Sequence, residues 1–426
     1  MPNKNIIAFV SNLPTGVIES IREYEKISGY KFRVMLIKNI TRVDPVPTKG
    51  DYLKPDIVLE VDFSTPDKIA TALRPYVDEL FAVTARSESF IADFIKLIPN
   101  VPYIRTPTTE SLMWASDKLL MRQRFAAYDK KITPKYTVVK ENTPESREKA
   151  IAKIGFPLVV KPTNLSQSLL VTVCHHEEEL EKALQKTFAL IKKVYGENGR
   201  LETPQVLVEE FMEGLMYSVD AYVSARGKIT FCPLVRVKTG REIGFDDFFG
   251  YLRITPTKLS SETVLRARDA AAKGIRALGL RSTSAHVELM RIDNDWKIIE
   301  IGARVGGYRH TLHELACGIN HNMNDILTRT NLSPIVPKKC EKYAANMHWY
   351  PKEEGVITRV LGLKKIESLE SFVEIIVNKK KGDTSTFAKH GGKPVFKLTL
   401  ANTNRSNLLA DIRRVEEMVR VDIEVV

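Results

Sequence analysis

His286-Val287-Glu288-Leu289-Met290, followed after a short turn by Glu300-Ile301-Gly302-Ala303-Arg304, is the stretch on which the reading of this chain turns. Val287, Leu289 and Met290 in the first segment, and Ile298, Ile299 and Ile301 in the second, mark both as strands. Asp293-Asn294-Asp295 between them is a hairpin-turn signal. A hairpin brings Glu288 and Glu300 onto neighbouring strands. Two carboxylates at that range repel and are costly to desolvate unless a cation lies between them. Magnesium meets that need, because it takes one or two carboxylates together with phosphate oxygens. The stretch is read as a magnesium–nucleotide site. The competing reading is an ordinary hairpin with both glutamates facing solvent.

The 426 residues allow two or three domains and a large core. A hydrophobic content of 43% and a charged content of 27% are those of a globular protein. The apolar run at 6–10 is too short for a signal-peptide core, and no stretch comes near the roughly 18 apolar residues of a membrane span. A cytoplasmic protein with no membrane partner is expected. Cys174, Cys232, Cys317 and Cys340 are scattered without a CxxC pair and are expected to be reduced thiols, neither a disulfide framework nor a zinc site. The net charge of +12 suits a polyanion. The basic residues are spread along the chain, however. The densest run is Lys379-Lys380-Lys381, with no basic stripe and interleaved aromatics, so no nucleic-acid partner is expected.

Residues 1–107 alternate strand and helix patterns: strands near 6–10, 32–37, 56–61 and 80–84, helices near 17–27 and 67–73. That is the pattern of a small parallel α/β domain. The turn after the first strand lacks GxGxxG, so no dinucleotide site is assigned to it. Three prolines between Pro99 and Pro107 mark a linker. Ser116-Asp117-Lys118 then caps a helix, and Thr143-Pro144 opens another. The apolar strand Leu158-Val159-Val160-Lys161-Pro162 ends in a lysine before the polar turn at 163–168. Such a strand, lysine and loop can close over phosphates. A second apolar strand runs into Glu209-Glu210-Phe211-Met212-Glu213-Gly214. The polar and aromatic segment at 238–250 reads as a loop near substrate or an exposed turn. Ser260 or Ser261 caps a long helix that Gly279 ends. The Gly306-Gly307 turn can present backbone amides to an anion. His310, His313 and Glu314 lack HExxH spacing and read as structural. Residues 336–426 read as a small α+β domain without a catalytic constellation.

Taken in order, Asp117-Lys118, Val160-Lys161-Pro162, the loop at 163–168, Glu209 to Gly214, Ser218-Val219-Asp220, His286-x-Glu288 and Glu300-x-x-x-Arg304-x-Gly306-Gly307 resemble the ATP-grasp superfamily. More narrowly, they are similar to its carboxylate–amine ligases of the L-amino acid ligase and carnosine-synthase-like type. The resemblance implies an α/β and α+β architecture. An N-terminal Rossmann-like (pre-ATP-grasp) domain would span 1–107. An ATP-grasp core would span 108–335, with a lid at about 130–212, and a small C-terminal α+β domain 336–426. It implies ATP with Mg²⁺ or Mn²⁺, small-molecule carboxylate and amine substrates, and an acyl-phosphate intermediate. A homodimer is the assembly the superfamily suggests.

By the same resemblance, Lys118 and Lys161 contact phosphates, with Ser166 and Ser168 in the lid loop. Glu209, Glu210, Phe211, Met212 and Glu213 surround the nucleoside, the Glu209 side chain holding adenine. Glu288 and Glu300 ligate the metal. Arg304 stabilises the transferred phosphoryl group, with Lys161 beside it in catalysis. His286, Gly307, Tyr308 and Arg309 lie with Arg304 near the amino-acid pocket. Two positions depart from the pattern: Met216 stands where many relatives carry a ribose-binding acid, and Gly302 where many carry a metal-binding Asn. Glu210 or Glu213 is then the candidate for the ribose. The alternatives are a carboxylating or purine-pathway ATP-grasp enzyme, and a non-catalytic ATP-binding protein on this fold.

Overall fold

The computed structural model describes residues 4–42, 54–165, 169–197 and 203–425. Ile6–Val10 is buried along its whole length, as an apolar strand covered on both faces must be. It lies between Arg33–Asn39 and Leu80–Thr84 in a four-stranded parallel sheet, whose other edge is Ile57–Val61. One face packs under the helix Val17–Ser28, the other under Pro66–Leu73 and Ile91–Leu97.

A second sheet is antiparallel, in the order Tyr136–Val139, Val206–Glu210, Leu158–Pro162, Thr172–Cys174. With the helices Pro144–Ile154 and Glu177–Glu197 it encloses a core of its own. Thr143 caps the first of these helices through its side-chain oxygen, with Pro144 at the first turn.

The third sheet organises the molecule. Nine antiparallel strands run from Asp295–Gly302 through Thr283–Ile292, Leu215–Val223, Val235–Thr239, Gly250–Thr255, Tyr343–Trp349 and Phe396–Asn402 to Phe372–Val377, with Ile229–Phe231 paired beside Leu215–Val223. The helix Ser261–Ala277 lays Ala267, Ala270, Ala271 and Gly274 against its first strands. Gly274 is required there, since a Cβ would lie 2.4 Å from Ile298 Cδ1. Gly250–Thr255 has no counterpart in the sequence reading, which saw only the polar segment before it. Through it, Tyr343–Trp349 and two later strands extend the central sheet. A three-stranded sheet, Thr384–Ser385, Gly355–Leu361 and Arg420–Glu424, lies apart from it.

The cysteine expectation needs correction. Cys317 and Cys340 form a disulfide, while Cys174 and Cys232 are free and buried. The end of the helix Arg309–Cys317 meets the segment entering Tyr343–Trp349, where the Lys342 amide donates to Ala316 O. A separation of 23 residues gives no sequence hint of that meeting. Among the described residues no helix is long and apolar enough to cross a membrane.

The parallel sheet is fastened to the central one by Asp325, on the helix His321–Thr328. Its carboxylate accepts hydrogen bonds from Thr84 Oγ1 (2.7 Å) and Ser284 Oγ (2.6 Å) and faces Arg329 at 3.4 Å. Burial would raise its pKa, but Arg329, Arg86 and the two hydroxyls outweigh burial and hold it at about 2. Its stabilising contribution is therefore fully present above the ordinary carboxylate range and is lost as pH falls towards 2. Asp325→Ala is expected to cost about 3–5 kcal/mol in denaturant unfolding, because Arg329 is left buried without its carboxylate.

Candidate functional site

Strand periodicity builds the floor of the site. Glu288 is the direct partner of Glu300 on one side and of Ser218 on the other. Two residues along, His286 is flanked by Gly302 and Asp220. Because side chains alternate, all these groups share one face of the sheet. The intervening Val219, Val287, Leu289 and Ile301 are fully buried on the other.

Asp220 is 1% exposed and accepts a hydrogen bond from the Gly306 amide at 2.8 Å. The anion met by the Gly-Gly turn is thus this carboxylate. Asp220 Oδ1 also lies 3.1 Å from His286 Nδ1, while His286 Nε2 is 3.5 Å from Glu288 Oε1. Burial would lower the pKa of His286, but Asp220 and Glu288 more than compensate and raise it. Burial would raise that of Glu288; His286, Arg309 and Arg304 bring it below its ordinary value. Gly306 lets the turn close on the histidine ring, as a Cβ there would sit 2.3 Å from His286 Nδ1. Arg309 is 3% exposed and donates to Ser218 Oγ through Nε and Nη2. Arg304 donates from Nε to Glu88 Oε2 at 2.9 Å, so the parallel-sheet domain supplies a residue to the site.

The opposite wall comes from the smaller antiparallel sheet and the helix Lys118–Tyr128. Asp117 caps that helix by accepting the Leu120 amide. Lys118 Nζ donates to Leu165 O at 2.7 Å and lies 3.4 Å from Glu300 Oε2. The Glu209 carboxylate, 1% exposed, is held by Arg122 Nε at 2.7 Å and Lys161 Nζ at 2.6 Å. Both of its oxygens are engaged, by Arg122 and Lys161, so the carboxylate orients Lys161. Glu210 is bound by Lys297 at 2.8 Å and by the Lys135 amide. Glu213 is exposed at the rim.

A cleft of about 770 Å³ joins the walls. Lys118, Lys161, Glu209, Glu210, Phe211, Met212, Glu213, His286, Glu288, Glu300, Arg304, Gly307, Tyr308 and Arg309 all line it. Ser166 and Ser168 lie outside the described residues. Sequence reasoning passed over Glu88, Arg122, Arg253, His348 and Lys397; of these, Arg253, His348 and Lys397 line the cleft. Met216 also lines it. At Gly302 the space a side chain would enter is bordered by Arg304 Cγ, 3.6 Å from a Cβ there. Glu288 and Glu300 are cross-strand partners that both line the cleft, and a pair of carboxylates is the kind of donor a hard divalent cation such as Mg²⁺ takes.

A model described as an ATP-grasp domain matches residues 154–312. The chain carries an ATP-grasp domain. The same fold extends over the whole chain: an L-amino acid ligase from Bacillus licheniformis superposes with a TM-score of 0.76, covering 100% of both chains at 18% identity. An ADP complex of an N5-carboxyaminoimidazole ribonucleotide synthetase superposes with a TM-score of 0.68, covering 98% of this chain and 97% of the other at 15% identity. At such identities the likeness is one of fold. In sequence, the chain is 27% identical over 293 residues to an alanine–anticapsin ligase of Bacillus subtilis, spanning 65% of this chain and 60% of that relative. The counterpart from Bacillus amyloliquefaciens is 25% identical over 364 residues, or 80% of this chain and 75% of the relative. A D-alanine–D-alanine ligase of Bacillus cytotoxicus is 30% identical over 135 residues, 30% of this chain and 35% of its own.

Burial lowers the pKa of Lys161 and Glu209 only partly restores it, leaving it at about 8. The ammonium is charged below that value and neutral above it. An NMR titration of the Lys161 side chain is expected to show a midpoint near 8. Glu209→Gln removes the anion that supports the charged form and is expected to move the midpoint lower.

Proposed function

We propose that this protein is an ATP-dependent carboxylate–amine ligase, which forms an amide or peptide bond with an amino acid as one substrate. The observation that carries the reading is the single face on which Glu288 and Glu300 adjoin His286, Arg304 and Arg309, with Lys118 and Lys161 across the cleft. A carboxylate is a poor electrophile. Transfer of the γ-phosphoryl group of ATP to its oxygen gives an acyl phosphate and ADP, and attack by an amine on the acyl carbon then expels phosphate. The chain's contribution is positioning and charge.

In this reading Lys118 and Lys161 hold the ATP phosphates, and Arg304, set by Glu88, neutralises the transferred group. His286 and Arg309 orient the substrate. Residues 209–213 surround the nucleoside. Glu213 is the candidate for the ribose, since Glu210 is occupied by Lys297. Glu288 and Glu300 would hold Mg²⁺ or Mn²⁺, which when bound supplies charge neutralisation at the phosphates. The division of labour follows 1–107, 108–335 with a lid at about 130–212, and 336–426. The sequence relatives named as amino-acid ligases support this over a carboxylating or purine-pathway reaction, for which the fold likeness to the ribonucleotide synthetase is the contrary observation.

ADP release, screened over pairs of amino acids and other carboxylates and amines with Mg²⁺, tests the proposal. Sustained ADP release over many turnovers is expected only when both partners are present, since the carboxyl substrate alone can yield no more than the ADP of its own phosphorylation. Release driven by bicarbonate would favour the carboxylating reading instead. Glu300→Gln and Arg304→Ala are each expected to lower the rate by at least about 10²–10³-fold with unchanged circular dichroism. Full turnover in Glu300→Gln would refute the metal assignment.

A further inference from the structure

Besides Arg304, Tyr308 and Arg309, the cleft is lined by Arg253, His348 and Lys397. These come from Gly250–Thr255, Tyr343–Trp349 and Phe396–Asn402, consecutive strands of the central sheet. Arg253 pairs with Asn346, two residues before His348, and His348 pairs with Lys397. The alternation therefore sets all three on one face, while Leu252, Met347 and Leu398 fill the core behind.

Tyr308 stands among them. Its φ of 62° is a left-handed conformation uncommon for a bulky residue, and the residue is 42% exposed. The Arg253 guanidinium lies 5.5 Å from the ring centroid, the Lys397 ammonium 5.0 Å, and the His348 ring packs edge-on at 4.6 Å. Gly250 admits the guanidinium: a Cβ there would sit 2.4 Å from Arg253 Nη2, and Arg253 Nη1 donates to Gly250 O at 2.9 Å.

Glu288 acts on Arg253 only from beyond ion-pair distance. Among the described residues no carboxylate lies within ion-pair distance of Arg253 or Lys397. His348 is 6% exposed and its Nε2 has no hydrogen-bond partner. Burial, then the neighbouring Arg309, holds Arg253 down at about 10. Burial, then Arg253, Lys397 and Arg309, keeps His348 neutral. Half-buried cations without an ion-pair partner are costly by themselves, as is a buried imidazole nitrogen without a hydrogen bond, and an anion held by the three groups relieves these costs.

We propose that Arg253, Lys397 and His348 form a second anion site of this cleft, which takes a carboxylate of the substrate pair other than the one that is activated. The proposal rests on the ligase reading and deepens it. The carboxylate belongs either to the amino acid that supplies the amine or to an acidic side chain on the carboxyl substrate.

The test compares the native protein with Arg253→Gln, Arg253→Lys and Lys397→Met. One arm uses amine-donating amino acids against their carboxamides. The other uses aspartate and glutamate against asparagine and glutamine as carboxyl substrates. In one arm the native protein is expected to favour the anionic member by roughly 10- to 100-fold in kcat/KM, mainly through KM. Arg253→Gln and Lys397→Met collapse that ratio, and Arg253→Lys keeps part of it. A variant that merely folds poorly lowers both members alike and leaves the ratio standing. A flat ratio in both arms for the native protein, or a ratio unchanged in Arg253→Gln and Lys397→Met, overturns the proposal. If no pair releases ADP, the ligase reading fails separately. Calorimetry with glutarate and its monoamide then decides the site: tighter diacid binding that Arg253→Gln weakens supports it, and equal or absent binding overturns it.

Discussion

Antiparallel pairing sets Glu300 directly across from Glu288, with Cβ atoms about 4.5–5.5 Å apart. Two carboxylates at that spacing repel, and positive charge brought to them offsets the repulsion. The chain brings it from several elements. Lys118 comes from the start of a helix and His286 from the same strand, while Arg304 and Arg309 follow the hairpin. Each of these is positioned by a further group: Lys118 by Leu165 O, His286 by Asp220, Arg304 by Glu88, Arg309 by Ser218. Much of the polar architecture of the cleft follows from the need to surround this pair.

The same economy appears on the opposite wall. Arg122, Glu209 and Lys161 form a buried triad in which one carboxylate serves two cations. Such a triad is a weak source of stability, since desolvation offsets much of the attraction. Its effect is geometric. Lys161 leaves its strand beside Glu209 on the paired strand, and the shared ion pair fixes where the ammonium enters the cleft. Arg122 Nη2 also donates to Ile299 O, next to Glu300. The two walls are thereby tied together behind the site.

The hairpin was legible because apolar alternation and the Asp-Asn-Asp turn specify one register, and a slip by one residue would bury the glutamates. Helix starts were legible where a capping side chain stands before an apolar pattern, as at Asp117, Thr143 and Ser260. What escaped has no local signature. Glu88 reaches Arg304 across 216 positions of sequence, and Arg122 reaches Glu209 across 87. Arg253 sits on a short strand that follows a polar, aromatic segment, so neither its strand nor its cleft-facing direction was apparent. The segment 336–426 read as a unit of its own because its alternation is self-consistent. Only the pairing of Leu252 with Met347 reveals that it prolongs the central sheet. The disulfide was missed for the same reason: proximity of Cys317 and Cys340 is tertiary.

The central claim is that Glu288 and Glu300 together grip a divalent cation against nucleotide phosphates. It is tested most directly by electron paramagnetic resonance of Mn²⁺ titrated into the protein with ATP present. Native protein is expected to bind the ion in a nucleotide-dependent manner, and Glu288→Gln combined with Glu300→Gln to release it while the fold is retained. Equal Mn²⁺ affinity in the native and doubly substituted proteins would contradict the account.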